Sequence, residues 1–169
     1  MSINLFFVLI LGLLIGMYGY FSPDDRAAQD NREIPKIELT DFTLYEISHK
    51  RIDHILEGKE GKKFDEYYVI TSAKFSDNTK NLFQTIRSDN ADYRNNIIKV
   101  DGNVHYVRED GLEFRSHEGT YDSKASLIRT KGAFVITQNA NHVEGTALNY
   151  NTEHDTVSAD HVRGSYQLK

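Results

Sequence analysis

The stretch Phe114-Arg-Ser-His-Glu-Gly-Thr-Tyr-Asp-Ser-Lys-Ala-Ser-Leu-Ile-Arg-Thr-Lys-Gly-Ala-Phe134 decides how the rest of the chain is read. Phe114 and Ser116 alternate as one face of a strand. The pattern then slips by one residue, and Gly119 and Tyr121 continue that face. After a polar turn, Ile128, Thr130, Gly132, Phe134 and Ile136 alternate again. Alternation with period 2 marks a strand with one buried face, and a one-residue slip is the signature of a β-bulge or corner. The phrase recurs upstream as Ile86, Ser88, Ala91, Tyr93, then Ile98, Val100, Gly102, Val104, Tyr106. It recurs downstream as Val143, Gly145, Leu148, Tyr150, then Val157 and Ala159, and a fainter copy is Tyr68, Ile70, Ala73, Phe75. Tyr93, Tyr121 and Tyr150 stand 28 and 29 residues apart, so the unit is about one hairpin long.

Outside the repeats, Ile37, Leu39, Phe42, Leu44 and Ile47 suggest a first strand, broken near Asp41. Glu57 to Lys63, Glu-Gly-Lys-Glu-Gly-Lys-Lys, reads as a charged turn carrying glycine. Asp77–Asn81 is expected as a turn or a short helical excursion, and further turns at Asn95-Asn96, Glu109-Asp110-Gly111, Asp122–Ser126, Asn139–Asn141 and Asn151–Asp155. Gly164 to Leu168 is a last strand candidate. No window of a dozen residues after the first 33 has a helical period. The expected fold class is all-β.

The first residues are different in kind. Ile3 to Phe21 is uncharged and spans about 28 Å as a helix, close to a bilayer's hydrocarbon core. A cleaved signal peptide is the competing reading, but it calls for a basic flank and a small-x-small cleavage site. Met1-Ser2 precedes the run and Ser22-Pro23-Asp24-Asp25 follows it, which favours an uncleaved single-pass anchor. Gly12 and Gly16 form a small-xxx-small pair, a face suited to packing against a partner helix. Residues 22–33 read as a polar linker, and residues 34–169 as the β domain.

Composition narrows the chemistry. The chain has 169 residues, with 20 basic and 25 acidic side chains, a net charge of −5, and no basic stripe suited to nucleic acid. It has no cysteine, so disulfides and thiol chemistry are excluded. The histidines His49, His54, His105, His117, His142, His154 and His161 show neither the i, i+2 nor the i, i+4 spacing that would aim a pair at one metal ion. Asp110, Asp122 and Asp155 fall in turns, where Asx chemistry accounts for them. There is no nucleophile elbow, P-loop or dinucleotide fingerprint. No metal, cofactor or catalytic role is expected.

The expected inner face is Ile70, Phe75, Ile86, Tyr93, Ile98, Val100, Val104, Tyr106, Phe114, Tyr121, Ile128, Phe134, Ile136, Val143, Leu148 and Tyr150. Taken singly, each fits the core of a β-sandwich. As a set they are interrupted by Ala91, Gly102, Gly119, Gly132 and Gly145, which suggests a grooved face rather than a filled one. A tethered sheet with one apolar face must cover it with a second sheet, a partner or a ligand.

The segments Ile86-Arg-Ser-Asp-Asn-Ala-Asp-Tyr93, Val100-Asp-Gly-Asn-Val104, Phe114-Arg-Ser-His-Glu-Gly-Thr-Tyr121, Lys131-Gly-Ala-Phe134 and Val143-Glu-Gly-Thr-Ala-Leu-Asn-Tyr150, behind one anchor, resemble the LptC family of lipopolysaccharide export proteins. The resemblance implies a twisted, slotted β-jellyroll anchored in the inner membrane and facing the periplasm. It implies that lipopolysaccharide is taken from an inner-membrane ABC transporter and passed to a soluble, LptA-like bridge protein. Acyl chains would ride on the inner face, which inherits a lipid-binding role by position. The N-terminal edge would pair with the transporter and the C-terminal edge with the bridge protein, both by strand addition. A scaffold that only joins partners edge to edge, holding no ligand, is the alternative; a closed, filled core would favour it.

Overall fold

The computed structural model describes residues 33–48 and 51–167. The expected anchor with Gly12 and Gly16, and all but the last residue of the expected linker, lie outside the described residues. All described strands belong to the unit that begins at Ile34. They are β1 (Ile37–Ser48), β2 (Arg51–Lys63), β3 (Tyr67–Asp77), β4 (Gln84–Arg94), β5 (Ile97–Arg108), β6 (Leu112–Asp122), β7 (Leu127–Arg129), β8 (Ala133–Gln138), β9 (Asn141–Asn151) and β10 (Thr156–Ser165). They form one 10-stranded antiparallel sheet, and no helix occurs among the described residues. The all-β expectation therefore holds.

Each strand pairs with its sequence neighbour, except that β7 and β8 share one place. β7 lies against the far half of β6 and β8 against its near half, and both then pair with β9. The tight turns fall where the sequence put them. Asn95 and Asn96 have φ of 51° and 67°, the pair of left-handed residues a two-residue hairpin demands. Gly111, at φ 83°, closes the β5–β6 hairpin.

A line of irregularities crosses the sheet at mid-strand. It passes through Asp41 (φ 46°), Ser72 (φ 51°), Gly102 and Asn103 (φ 75° and 50°), Ala147 (φ 53°) and His161 (φ 51°). The pairing register breaks at that level in β4–β5, β5–β6 and β9–β10. In β4 and β6, serine marks the spot: Ser88 Oγ donates to the Asn90 carbonyl and Ser116 Oγ to the Glu118 carbonyl, both at 2.8 Å. The expected slip is thus a crease, and the repeated serine is part of its chemistry.

The crease explains burial in a sheet with no second layer. Val104 and Phe134 are each 2 % exposed, and Ala73 and Leu148 each 7 %. No second sheet or helix among the described residues covers them, so the sheet bends at the crease and encloses them itself. The buried apolar side chains among the described residues are these four, and Phe134 is the one large ring in the set. The result is a floor without a filled core.

Two expectations are corrected. Glu57 to Lys63 is not a turn but the second half of β2. Its glycines make room for an aromatic ring: a Cβ at Gly61 would lie 2.7 Å from Phe42 Cε1, and one at Gly58 would lie 2.8 Å from the same ring. The tail strand expected at Gly164–Leu168 is the end of β10, which stops at Ser165.

Candidate functional site

The pairing registers place every expected inner-face residue on one face of the sheet. On one side of the crease a row runs Leu44, Leu56, Phe75, Ile86, Tyr106, Phe114, Ile136, Val143, one residue per strand. Two residues nearer the crease come Ala73 and Ser88, then Val104, Ser116, Phe134 and Gly145. Across the crease lie Leu39, Gly61, Ile70, Ala91, Val100 and Gly119. The far row is Ile37, Lys63, Tyr68, Tyr93, Ile98, Tyr121, Ile128, Tyr150 and Val157. Leu148 stands two residues from Tyr150, and its carbonyl accepts the Thr130 N–H at 2.9 Å.

The opposite face is charged. One of its rows reads Thr43, Glu57, Lys74, Arg87, His105, Arg115, Val135, Glu144, Arg163. The two faces therefore differ as apolar from ionic along almost the whole sheet, the pattern of a sheet wet on one side only.

Exposure on the apolar face is graded. Beside the crease Ala73, Ser88, Val104, Phe134 and Gly145 are buried and Ile70, Ala91 and Val100 half-buried, whereas Phe75, Ile98, Tyr93 and Tyr68 are 38 to 41 % exposed. Rings line this surface in pairs: Phe114 stacks on Phe134 with centroids 6.2 Å apart, and Tyr68 meets Tyr93 at 5.9 Å. Of the expected spacers, Gly119 and Gly145 keep the face low. A Cβ at Gly145 would come within 2.9 Å of Phe134 Cζ and 3.0 Å of the Asp160 carbonyl. Gly102 is a different kind of residue. A Cβ there would lie 2.5 Å from Asp89 Oδ2, and its φ of 75° serves the bulge rather than the groove. Gly132 borders open space.

Polar groups hold the crease and close one end. The Glu118 carboxylate accepts the Thr130 hydroxyl at 3.1 Å and the N–H groups of Lys131 and Gly132, pinning the break between β7 and β8. Burial would raise its pKa, but these donors outweigh burial and hold it below the ordinary value. One row beyond Phe75 and Tyr106 stand Glu46, His54, Asp77, Gln84 and Arg108. His54 faces Glu46 at 2.8 Å and Asp77 at 3.4 Å and stacks on Phe75. Gln84 donates to Asp77 and accepts the Tyr106 hydroxyl, both at 2.8 Å. Burial pushes the Tyr106 pKa up, and Asp77 is held low by Thr79 and Gln84 against its own burial.

Sequence reasoning missed Phe42, Leu56 and Lys63 as members of this face, whereas Tyr68 stood in the fainter copy of the phrase. Phe42 was visible as a strand residue; Leu56 and Lys63 depend on β2, whose composition reads as a turn. No group of three or more His, Cys, Asp or Glu among the described residues could hold a metal ion.

The model of the family described as "Lipopolysaccharide-assembly, LptC-related" matches residues 7–167. No curated protein matches the chain.

Proposed function

The chain belongs to the LptC-related lipopolysaccharide-assembly family, which gives it a role in lipopolysaccharide transport, and on that premise we propose that the apolar face carries the lipid's acyl chains. One observation supports this above the others: apolar side chains recur on one face from strand to strand, yet the buried apolar ones among the described residues are Ala73, Val104, Phe134 and Leu148, while Phe75, Ile98, Tyr93 and Tyr68 on the same face stay 38 to 41 % exposed. A filled sandwich core would show the opposite. An apolar surface this extensive is stable in water only when something of matching chemistry can cover it. The scaffold alternative leaves it without an occupant.

In this reading the described sheet is a slotted, jellyroll-like domain in the periplasm. Residues 3–21 anchor it in the inner membrane, 22–33 form a tether, and Gly12 and Gly16 pack against a helix of the ABC transporter. Among the described strands, β1 and β10 each pair on one side only, which makes them the two edges of the sheet. β1 adds to the transporter's β domain and β10 to the LptA-like bridge protein, extending one groove across three proteins. The protein itself performs no catalysis.

The test is native mass spectrometry of the full chain released from nanodiscs made with lipopolysaccharide. Bound lipopolysaccharide is expected, and its loss is expected in Ile128→Asp, which sets a charge on the apolar face. Equal retention by the variant contradicts carriage. For the edges, Asp160→Pro should cost the bridge protein and spare the transporter. Gly12→Leu with Gly16→Leu should weaken co-purification with the transporter while leaving the chain in the membrane.

A further inference from the structure

One side chain breaks the pattern of the apolar face. Lys63 is paired between Ile37 and Tyr68. No other residue in the apolar rows carries a charge. Its Nζ lies 5.3 Å from the centroid of the Tyr68 ring, and it takes part in none of the ion pairs among the described residues. Its neighbours are committed elsewhere: Lys36 pairs with Asp65, and Lys62 faces Glu38 at 3.8 Å. A lysine stem lies comfortably on apolar and aromatic surface while its ammonium reaches water. Lys63 thus offers an uncompensated positive charge at the rim of an otherwise neutral face.

The opposite rim is built the other way. There His54 meets Glu46 and Asp77, and Gln84 donates to Asp77. Arg108 is held by both oxygens of Asp110, at 2.9 and 2.8 Å. Its charge is already spent, and the carboxylates of Glu46 and Asp77 dominate that end. Tyr68 and Phe75, on β3, mark the two ends of the apolar stretch between the rims. Seven residues of strand separate them, about 23 Å before the bend is counted.

We propose that Lys63 holds the anionic head of a bound amphiphile, so that its acyl chains run from the Tyr68 rim toward Phe75. The inference rests on the carriage reading above and adds a direction to it. A phosphorylated lipid head suits this end because an ammonium free of carboxylates accepts an anion without breaking an existing pair. The far rim repels the same head.

Photo-crosslinking in the full chain tests the direction. A photo-reactive residue replaces Tyr68 or Phe75, both well exposed, in nanodiscs containing lipopolysaccharide, and the captured adduct is fragmented by mass spectrometry. The Tyr68 position should yield phosphorylated sugar and the Phe75 position acyl chain. Lys63→Glu should lower capture at the Tyr68 position roughly tenfold or more, the size of a charge-assisted hydrogen bond. It should leave capture of dephosphorylated lipopolysaccharide at the Phe75 position unchanged, which also shows that the variant folds. Phosphorylated sugar at the Phe75 position, or capture indifferent to Lys63→Glu, overturns the proposed direction while leaving carriage standing. No capture at either position overturns carriage and the direction with it.

Discussion

The floor and the rim of the apolar face carry the same kinds of residue but do different work. On the floor, Phe134 is 2 % exposed and stacked on Phe114. At the rim, Tyr93 is 40 % exposed and Ile98 39 %. Both regions come from the same sequence phrase. The difference lies in distance from the crease. In the central strands the bend buries what stands next to it and leaves the margins more open, while on the edge strand β1 even Leu39, beside the crease, is 37 % exposed. Side chains at the floor therefore stabilise the fold, while those at the rim remain free to meet a ligand.

Replacing Phe134 with Ala should give the largest loss of stability, about 3 to 5 kcal/mol, because a buried ring leaves a cavity that the sheet cannot close. Urea denaturation followed by circular dichroism measures it. A loss as small as that of a surface substitution would erase the distinction between floor and rim.

Glu118→Gln comes next, at about 1 to 3 kcal/mol, since a charged acceptor of several donors is replaced by a neutral one. Its folded pKa lies below the ordinary 4.5, so the carboxylate contributes its full stability above that value and loses it as pH falls through the lower folded pKa. The variant and the parent should therefore converge in strongly acidic solution. A gap that stays constant down to that range would mean the carboxylate's charge is irrelevant to the crease.

Ala147 sits at φ 53° on the crease, where a Cβ is unfavourable. Ala147→Gly should raise stability by about 1 kcal/mol, read as a shift in the urea midpoint. A loss instead would show that the bend needs the methyl group more than it minds the strain.

Much of this was legible from the chain alone. The slip from Ser88 to Ala91 and from Ser116 to Gly119 announced the crease, because side-chain alternation records which face a residue takes. The turns at Asn95-Asn96 and Asp110-Gly111 were local chemistry and read directly. β2 was hidden. Glu57, Gly58, Gly61 and Lys62 look like a turn by composition, and only the Phe42 ring lying over the glycines, with Lys74 2.5 Å from Glu57, makes them a strand. Gly102 was read as a spacer for the same reason: its partner, Asp89, is distant in sequence. Nor could alternation reveal that one sheet would bury its own floor, since that follows from the bend and not from any residue.

At the rim, Tyr93→Ala should change stability by only about 0.5 kcal/mol, as an exposed substitution does, yet weaken lipopolysaccharide capture severalfold. If stability falls as far as it does for Phe134→Ala, the rim belongs to the core.

The most direct measurement compares the two faces of one strand. Photo-reactive residues replace Ile98 on the apolar face and Lys99 on the charged face of β5 in the full chain, and crosslinking to lipopolysaccharide is quantified. Strong capture from the Ile98 position and background capture from the Lys99 position is the expected result. Equal capture from both would contradict the claim that the apolar face carries the lipid.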